Sequence, residues 1–468
     1  MPAPDEKQPV IVVLTSHWVS MLGVALATTA GFSWLFVLPS QMRGQAQNAY
    51  LGLLTAVAIP ALLILGLALI PLGIWLSRRR IRTGLTASRP TDGPAAWRKL
   101  GLFLALMTFV NLVIGSQATY RAVQHMESRQ FCGQTCHVMI PEFTAARSAA
   151  HSQVDCVECH VVPGASGFVN AKLSGTRQLL HVVLNRVDRP IKSAIEENRL
   201  VSAAETCERC HSRTREIGPR IRILTHYKSD EASSKVQTVL TMRVGGPTGG
   251  IHGAHIGRGV SIRFAAADAR RQTIPWVERK GPDGSVTTFL ATDVKPESTA
   301  SLPRYEMQCT DCHNRPAHSL ETAEHALERA LGSGEIPLAL PFVRKNSLPL
   351  LTAAYTSGAE AADKIATGLR QLYAGKAPET LITQATTGLT GVFNRNVFPD
   401  LKVTWGTYPN NLGHVDTPGC FRCHDDGHVS AAKKTITNDC ATCHEAVAME
   451  ETAPAILKTL GIEKEYTK

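Results

Sequence analysis

No compositional extreme marks this chain of 468 residues, which excludes a disordered tail or a fibre. It also lacks a spare cysteine. All twelve fall in pairs, and a histidine follows each pair at once. The pairs are Cys132/Cys136/His137, Cys156/Cys159/His160, Cys207/Cys210/His211, Cys309/Cys312/His313, Cys420/Cys423/His424 and Cys440/Cys443/His444. A third absence concerns the amino-terminal apolar stretch, which has no small-residue cleavage site after a short apolar core. It therefore reads as an uncleaved signal anchor and not as a removable signal.

The C-x-x-C-H string is the attachment signal for c-type haem. Its two thiols add to the two haem vinyl groups, and the imidazole of the next residue then reaches the iron. Structural zinc and a disulfide framework also use clustered cysteines. One motif alone would leave zinc open, whereas six that exhaust the cysteines point to six c-type haems. The first motif, CGQTCH, carries three residues between its cysteines and is read as a haem site whose extra residue bulges outward. The formal net charge of +10 could suggest nucleic acid or anionic lipid as a partner. Each haem brings two propionates, so the Arg/Lys excess has a plainer use in pairing with them, and nucleic acid is not expected.

Three apolar stretches, Trp18 to Leu38, Leu51 to Leu76 and Leu100 to Tyr120, are each long enough to span a bilayer as a helix of about twenty residues. Pro60 and Pro71 in the second are expected to kink it, and Asn111 in the third is expected to make an interhelical hydrogen bond. Arg78, Arg79, Arg80, Arg82, Arg89, Arg98 and Lys99 crowd the connection between the second and third spans, and the first connection has only Arg43. The positive-inside rule then places the amino terminus in the cytoplasm and everything after the third span outside the cytoplasmic membrane. All six motifs lie on that outer side, where covalent haem attachment takes place.

The expected fold is mainly α with a haem-packed core: three N-terminal transmembrane helices and a periplasmic multihaem domain containing a small β-rich insertion. Residues 1–121 form the cytoplasmic amino terminus and membrane anchor, and 122–226 hold three motifs too densely set for a conventional apolar core. Residues 227–308 read as the β-rich insertion from VQTVLTMRV, GVSIRFA, TIPWVERK and SVTTFLA, with a turn at 281–284. Residues 309–404 carry the fourth motif and a segment with helical spacing in ETAEHALERAL and GLRQLYAG, and 405–468 carry the last two motifs.

A low-spin electron-transfer haem takes a second axial ligand, usually His or Met. His17 and His125 flank membrane spans and read as interfacial, and His325, in a helical stretch, as exposed. The candidates for distal ligation are His151, His181, His226, His318, His414 and His428, with one of the pair in GIHGAH, His252 or His255. Met139, two residues after His137, lies within reach of the first haem, which then differs from the rest and keeps an open face.

From the third span onward the sequence resembles the NapC/NirT/NrfH family of membrane-anchored quinol dehydrogenases. The resemblance rests on CGQTCHVM, SAAH ending at His151, CVECHVVP, KLSGTRQLLH from Lys172 to His181, CERCH with His226, and CTDCHNRPAH ending at His318. The other two spans and last two motifs look like those of longer relatives in metal-reducing and other anaerobic bacteria. The resemblance implies methionine ligation of the first haem by Met139 and oxidation of quinol, menaquinol in many members, beside it with help from Lys172. Gln178 stands where the family usually has an acid. The implied partners are the membrane quinol pool, the lipid bilayer, and periplasmic cytochromes or reductases that receive the electrons in anaerobic respiration. Two other functions fit the motifs: a terminal reductase of a small oxyanion, and a passive electron-relay subunit of a larger respiratory complex.

Overall fold

A computed structural model describes residues 9–42, 58–83, 93–115, 128–135, 137–162, 186–199, 201–213 and 215–462, with short pieces between 117 and 125 and between 170 and 184. It divides into two compact units, Met1–Cys132 with Asp155–Arg186, and Gly133–Val154 with Val187–Lys468.

Among the described residues the first unit is helical where the sequence is apolar, since a helix satisfies its own backbone polar groups without water, and residues 51–57 of the second apolar stretch lie outside them. Helix α1 (Val10–Ser16) turns through 94° at His17 into α2 (Trp18–Met42). Helix α3 (Ile59–Arg82) and α4 (Gly93–Val110) follow, and a π turn over Asn111–Gly115 prolongs α4. Ile59–Arg80 and Gly93–Val113 are each long and apolar enough to cross a bilayer, and the bent α1–α2 pair makes a candidate third span. This is a membrane protein. Of the two prolines expected to kink the second span, only Pro71 lies within the helix; Pro60 sits in the first turn of α3, where its missing N–H is not needed. Arg78 to Arg82 belong to the end of α3 and Arg98 and Lys99 to α4, so most of the expected basic loop is helix.

Small residues let α2 and α3 approach closely. A methyl group added at Gly73 would lie 2.2 Å from the Ser20 backbone nitrogen, and one at Gly66 2.7 Å from that of Ala27. The Ser16 and Ser77 hydroxyls meet at 2.5 Å, and Thr29 donates to Asn111 Oδ1 at 2.8 Å. The interhelical bond expected at Asn111 is therefore present.

In the second unit α5 (Ile140–Ala146) follows the first motif. Strands β1 (Arg220–Tyr227) and β2 (Lys235–Met242) form an antiparallel pair, and α6 (Gly250–Ile256) follows them. Next come β3 (Ser261–Ala265), β4 (Trp276–Lys280), β5 (Val286–Ala291) and β6 (Arg304–Glu306). The strands fall where apolar and polar residues alternate. What the alternation does not reveal is how the sheets are completed. The carboxy-terminal strands β7 (His428–Ser430) and β8 (His444–Glu451) join them, giving the orders β1-β2-β8 and β6-β3-β4-β5-β7.

Helices α7 (Ala323–Gly332), α8 (Val343–Thr352), α9 (Gly358–Tyr373) and α10 (Glu379–Asn396) fill the helical segment. Ser357 caps α9 and Thr322 caps α7, each accepting a backbone N–H of the first turn. The inward faces supply an ordinary apolar core of Leu327, Leu331, Ile336, Leu351, Ile365, Leu369, Leu389 and Phe393, all at most 2% exposed. This part of the domain is packed by side chains. Around the third motif the apolar core is sparse: among the described residues from 186 to 219 only Val201 and Ala203 are buried and apolar.

Leu369→Ala is expected to cost about 2–5 kcal/mol of stability, read as a lower unfolding midpoint. Gly73→Val is expected to separate α2 from α3 and to lower the detergent-solubilised melting temperature, whereas Gly31→Val, at a glycine with open space beside it, leaves that temperature unchanged.

Candidate functional site

The motif cysteines lie on short turns. The first motif opens on a π turn, Phe131–Thr135, a wider winding than an α turn that gives the additional residue room. Gly133 is needed there, because a methyl group would lie 2.3 Å from the Phe143 ring. Cys136 lies outside the described residues, and no side-chain geometry is described for His137. The second motif is a short helix, Cys156–His160. The hydrogen bond between Cys132 and Cys156 brings the Cys156 thiol down to about 7 and joins the first two motifs.

Cys159 of the second motif and Cys210 of the third are exposed, as are Cys420 and Cys440. Cys159 and Cys210 are each the second cysteine of their motif, the protein's own side chains do not enclose them, and the stretch around Cys210 has little apolar side chain with which to do so. Their first cysteines, Cys156 and Cys207, are half-buried, so each of these two motifs presents one sheltered and one open thiol.

The fourth motif, Cys309–Cys312, carries a capping box in which Gln308 and Asp311 exchange bonds. Asp311, 4% exposed, also holds the guanidinium of Arg271 at 2.9 Å, and Arg271 lies 3.8 Å over the ring of Tyr305. The PNN segment before the fifth motif is bonded onto the fourth: Asn411 N donates to Asn314 Oδ1 at 2.8 Å and Asn411 Nδ2 to the Asp311 carbonyl at 3.1 Å. Arg422, within the fifth motif, donates to the Asp311 and Arg271 carbonyls, each at 2.7 Å.

The cysteines of the last four motifs are thiols, not half-cystines. Burial pushes the Cys309 thiol up, and Cys207 adds to the shift. Burial takes Cys312 up to about 11, with Cys420 beside it, and Cys423 up to about 12, with Cys312 again close enough to add to it. Cys443 is raised by burial and then by Cys420. Motifs three to six thus neighbour one another in order.

The motif histidines of these four do not stand alone. His211 faces His151 with ring centres 6.0 Å apart, His313 faces His252 at 6.4 Å, His424 faces His255 at 5.7 Å, and His444 faces His414 at 6.1 Å. An iron held between two axial imidazoles sets their ring centres about 6 Å apart, since each metal–nitrogen bond is about 2 Å and each ring centre lies about 1 Å further on. Every pair has that spacing. Among the described residues no three His, Cys, Asp or Glu side chains converge as a closed metal-ion shell requires.

Hydrogen bonds orient several of these rings through Nδ1: His255 to the Ile251 carbonyl at 2.7 Å, His424 to the Thr437 carbonyl at 2.8 Å, and His151 to the Pro316 carbonyl at 3.1 Å. A proton shared with a carbonyl at Nδ1 leaves Nε2 with its lone pair for a metal. Burial lowers the pKa of His160, His255 and His313, and neighbouring histidine charges lower the last two further, so the neutral, ligating form is favoured. His414 stacks on Phe421 at 4.2 Å, which fixes its plane.

Other expected ligands stand elsewhere. His428, 2% exposed on β7, has both nitrogens taken: Nδ1 meets Asp425 Oδ1 at 2.9 Å and Nε2 meets the Ile274 carbonyl at 2.7 Å. No ring nitrogen is left for iron, and His428 is a core residue that ties β7 to the turn before β4. His226, on β1, points its Nδ1 at Glu328 Oε1, 2.5 Å away. Arg315 donates to His318 Nδ1 at 3.3 Å. His181 is half-buried in the first unit. His325 pairs with Asp416 at 3.1 Å and is half-buried, where the sequence reads it as exposed. His255 was only an alternative to His252 in the sequence, yet each faces a motif histidine.

Residues 95–216, which hold the third span and the first three motifs, match the family described as NapC/NirT cytochrome c family, N-terminal region. The chain is also 35% identical over 449 residues to the cytochrome c-type protein ImcH of Geobacter sulfurreducens, covering 92% of this chain and 88% of that protein. The chain belongs to the NapC/NirT cytochrome c family. Haem c is therefore its kind of cofactor, and this NapC/NirT cytochrome is a membrane protein of electron transfer. No solved structure matches it.

The Asp425–His428 pair gives a test of the correction at His428. Burial works to raise the Asp425 pKa, but the hydrogen bond and charge of His428 and the N–H groups of Gly427 and His428 outweigh it, so the carboxyl sits below its ordinary value. The pair's contribution is present above the ordinary carboxylate pKa of about 4 and is lost as the pH falls through the lower folded value. His428→Gln is expected to cost about 1–3 kcal/mol and to flatten that acid limb of stability, while optical spectra keep the wild-type share of low-spin haem.

Proposed function

We propose that this protein is a membrane-bound hexahaem cytochrome c that oxidises a quinol, menaquinol by the family resemblance, and delivers the electrons to periplasmic cytochromes or reductases in anaerobic respiration. The single observation that carries the reading is the set of facing histidine pairs at the last four motifs. Haem bound there supplies reversible one-electron storage. The six cysteine pairs tether it, the exposed Cys159 and Cys210 included, since a thioether to the porphyrin edge does not require a buried sulfur. His137, His160, His211, His313, His424 and His444 approach from one side. His151 opposes His211 and His414 opposes His444. Closed axial pairs suit electron relay and leave no vacant position for a small oxyanion, which disfavours the terminal-reductase reading.

The quinol site belongs beside the first motif. Met139 ends the short turn His137–Met139 and is the axial partner proposed for the first haem. Lys172, proposed to bind the quinol hydroxyl, lies outside the described residues. Gln178 donates to Ser174 Oγ at 3.3 Å and, being an amide, can orient a quinol oxygen but not take up its proton. His181, His226 and His318 remain candidate ligands for the other haems. The basic ends of α3 and α4 support a cytoplasmic amino terminus and a periplasmic multihaem domain.

A menaquinol analogue is expected to reduce the haems of the purified protein. Lys172→Ala should slow that reduction by about 100-fold, the low end of what a positioned acid–base group contributes. Unaltered quinol kinetics in the variant would remove Lys172 from the site, and no reduction of the wild type would remove the quinol reading.

A further inference from the structure

The segment between the third and fourth motifs reads from sequence as an insertion with no motif of its own. In the fold it carries α6, seven residues with the sequence GIHGAHI, and this helix has histidines at positions three apart. Residues three apart on a helix lie on neighbouring parts of one face, roughly 60° apart around the axis, so their imidazoles can serve centres lying side by side. That is the observed arrangement: His252 faces His313 of the fourth motif, and His255 faces His424 of the fifth.

The backbone holds this turn firmly. His252 N donates to the Val244 carbonyl at 3.0 Å and Ile251 N to the Arg243 carbonyl at 2.9 Å, so α6 starts against the end of β2. Gly245 and Gly250 both have φ of +67°, and a methyl group at Gly245 would lie 1.9 Å from the Gly249 carbonyl oxygen. Only glycine allows that doubling-back of the chain. Arg243 N in turn donates to the Cys443 carbonyl at 2.8 Å, which ties the same corner to the sixth motif. On the other side His255 Nδ1 and His424 Nδ1 each meet a backbone carbonyl, so each ring of that pair keeps its Nε2 lone pair for a metal.

We infer that α6 is a ligand bracket, in which one helical turn supplies the distal axial ligands of two different haems, His252 to the fourth and His255 to the fifth. The bracket fixes these two haems relative to each other through a single rigid element, so the step between them does not depend on loop positions. The inference rests on the haem reading above, but not on quinol being the donor.

The test is spin state at constant haem content in the full-length, haem-loaded protein. His252→Ala and His255→Ala are each expected to convert one haem from low to high spin, by electron paramagnetic resonance and optical spectra, and the double variant two. Added imidazole should restore the low-spin signal in each. If either single variant keeps every haem low-spin, or if the double variant converts only one, the bracket is overturned. Should an alanine variant fail to mature, His252→Met and His255→Met are measured instead: each is expected to give one histidine/methionine haem by near-infrared magnetic circular dichroism. An unchanged count of bis-histidine haems in either methionine variant would equally overturn it. None of these readouts uses a quinol, so a failure of menaquinol to reduce the wild type would leave the bracket standing, and a colourless wild type would sink both.

Discussion

A haem iron in an electron-transfer protein wants a ligand on each of its two faces, and the chain can supply only one of them locally. The C-x-x-C-H string fixes the proximal imidazole because it immediately follows the thiols that bind the porphyrin edge. The opposite imidazole has to be carried in by the fold. Most of the second unit can be understood as a solution to that problem. The imidazoles that face motif histidines arrive over such distances: His151 from the loop after α5, His252 and His255 from α6, and His414 from the segment before the fifth motif. Sheets, caps and arginine contacts set the distances at which these side chains arrive.

The architecture around the motifs follows from the same demand. The described residues near the third motif bury little apolar side chain, and Cys210 is exposed. The protein compensates with a separate four-helix segment whose core is ordinary packing, and with Arg271, Asp311, Asn411 and Arg422 bonded across the fourth and fifth motifs. Asp311 and Arg422 sit between the cysteines of their own motifs. The residues inside a C-x-x-C are thus used to join one site to the next.

Sequence made the local part of this legible. The cysteine pairs, the apolar spans, the alternation in β2 to β5 and the spacing of three and four in α7 and α9 are all short-range patterns, and short-range physics decides them. Which histidines come to face a motif histidine is decided over long range. Nothing in the neighbours of His428 distinguishes it from His255; the difference is that the Ile274 carbonyl and Asp425 occupy both nitrogens of one, while one carbonyl occupies a single nitrogen of the other. Burial of individual cysteines is equally a long-range outcome: Cys159 and Cys423 hold the same place in their motifs, yet the first is exposed and the second is not. For the same reason β7 and β8 were invisible as sheet partners, since their pairing depends on strands about 140 to 200 residues earlier, and long-range pairing of this kind leaves no periodic trace.

Strand β8 begins at His444 itself and pairs with β2, which is made some two hundred residues sooner. During synthesis the flank of β2 that will receive β8 therefore stays open until residues 444–451 have been made. An open strand edge invites wrong partners. The last C-x-x-C-H motif and the closure of this sheet consequently lie at one and the same place, and a chain that stops before residue 439 loses both together.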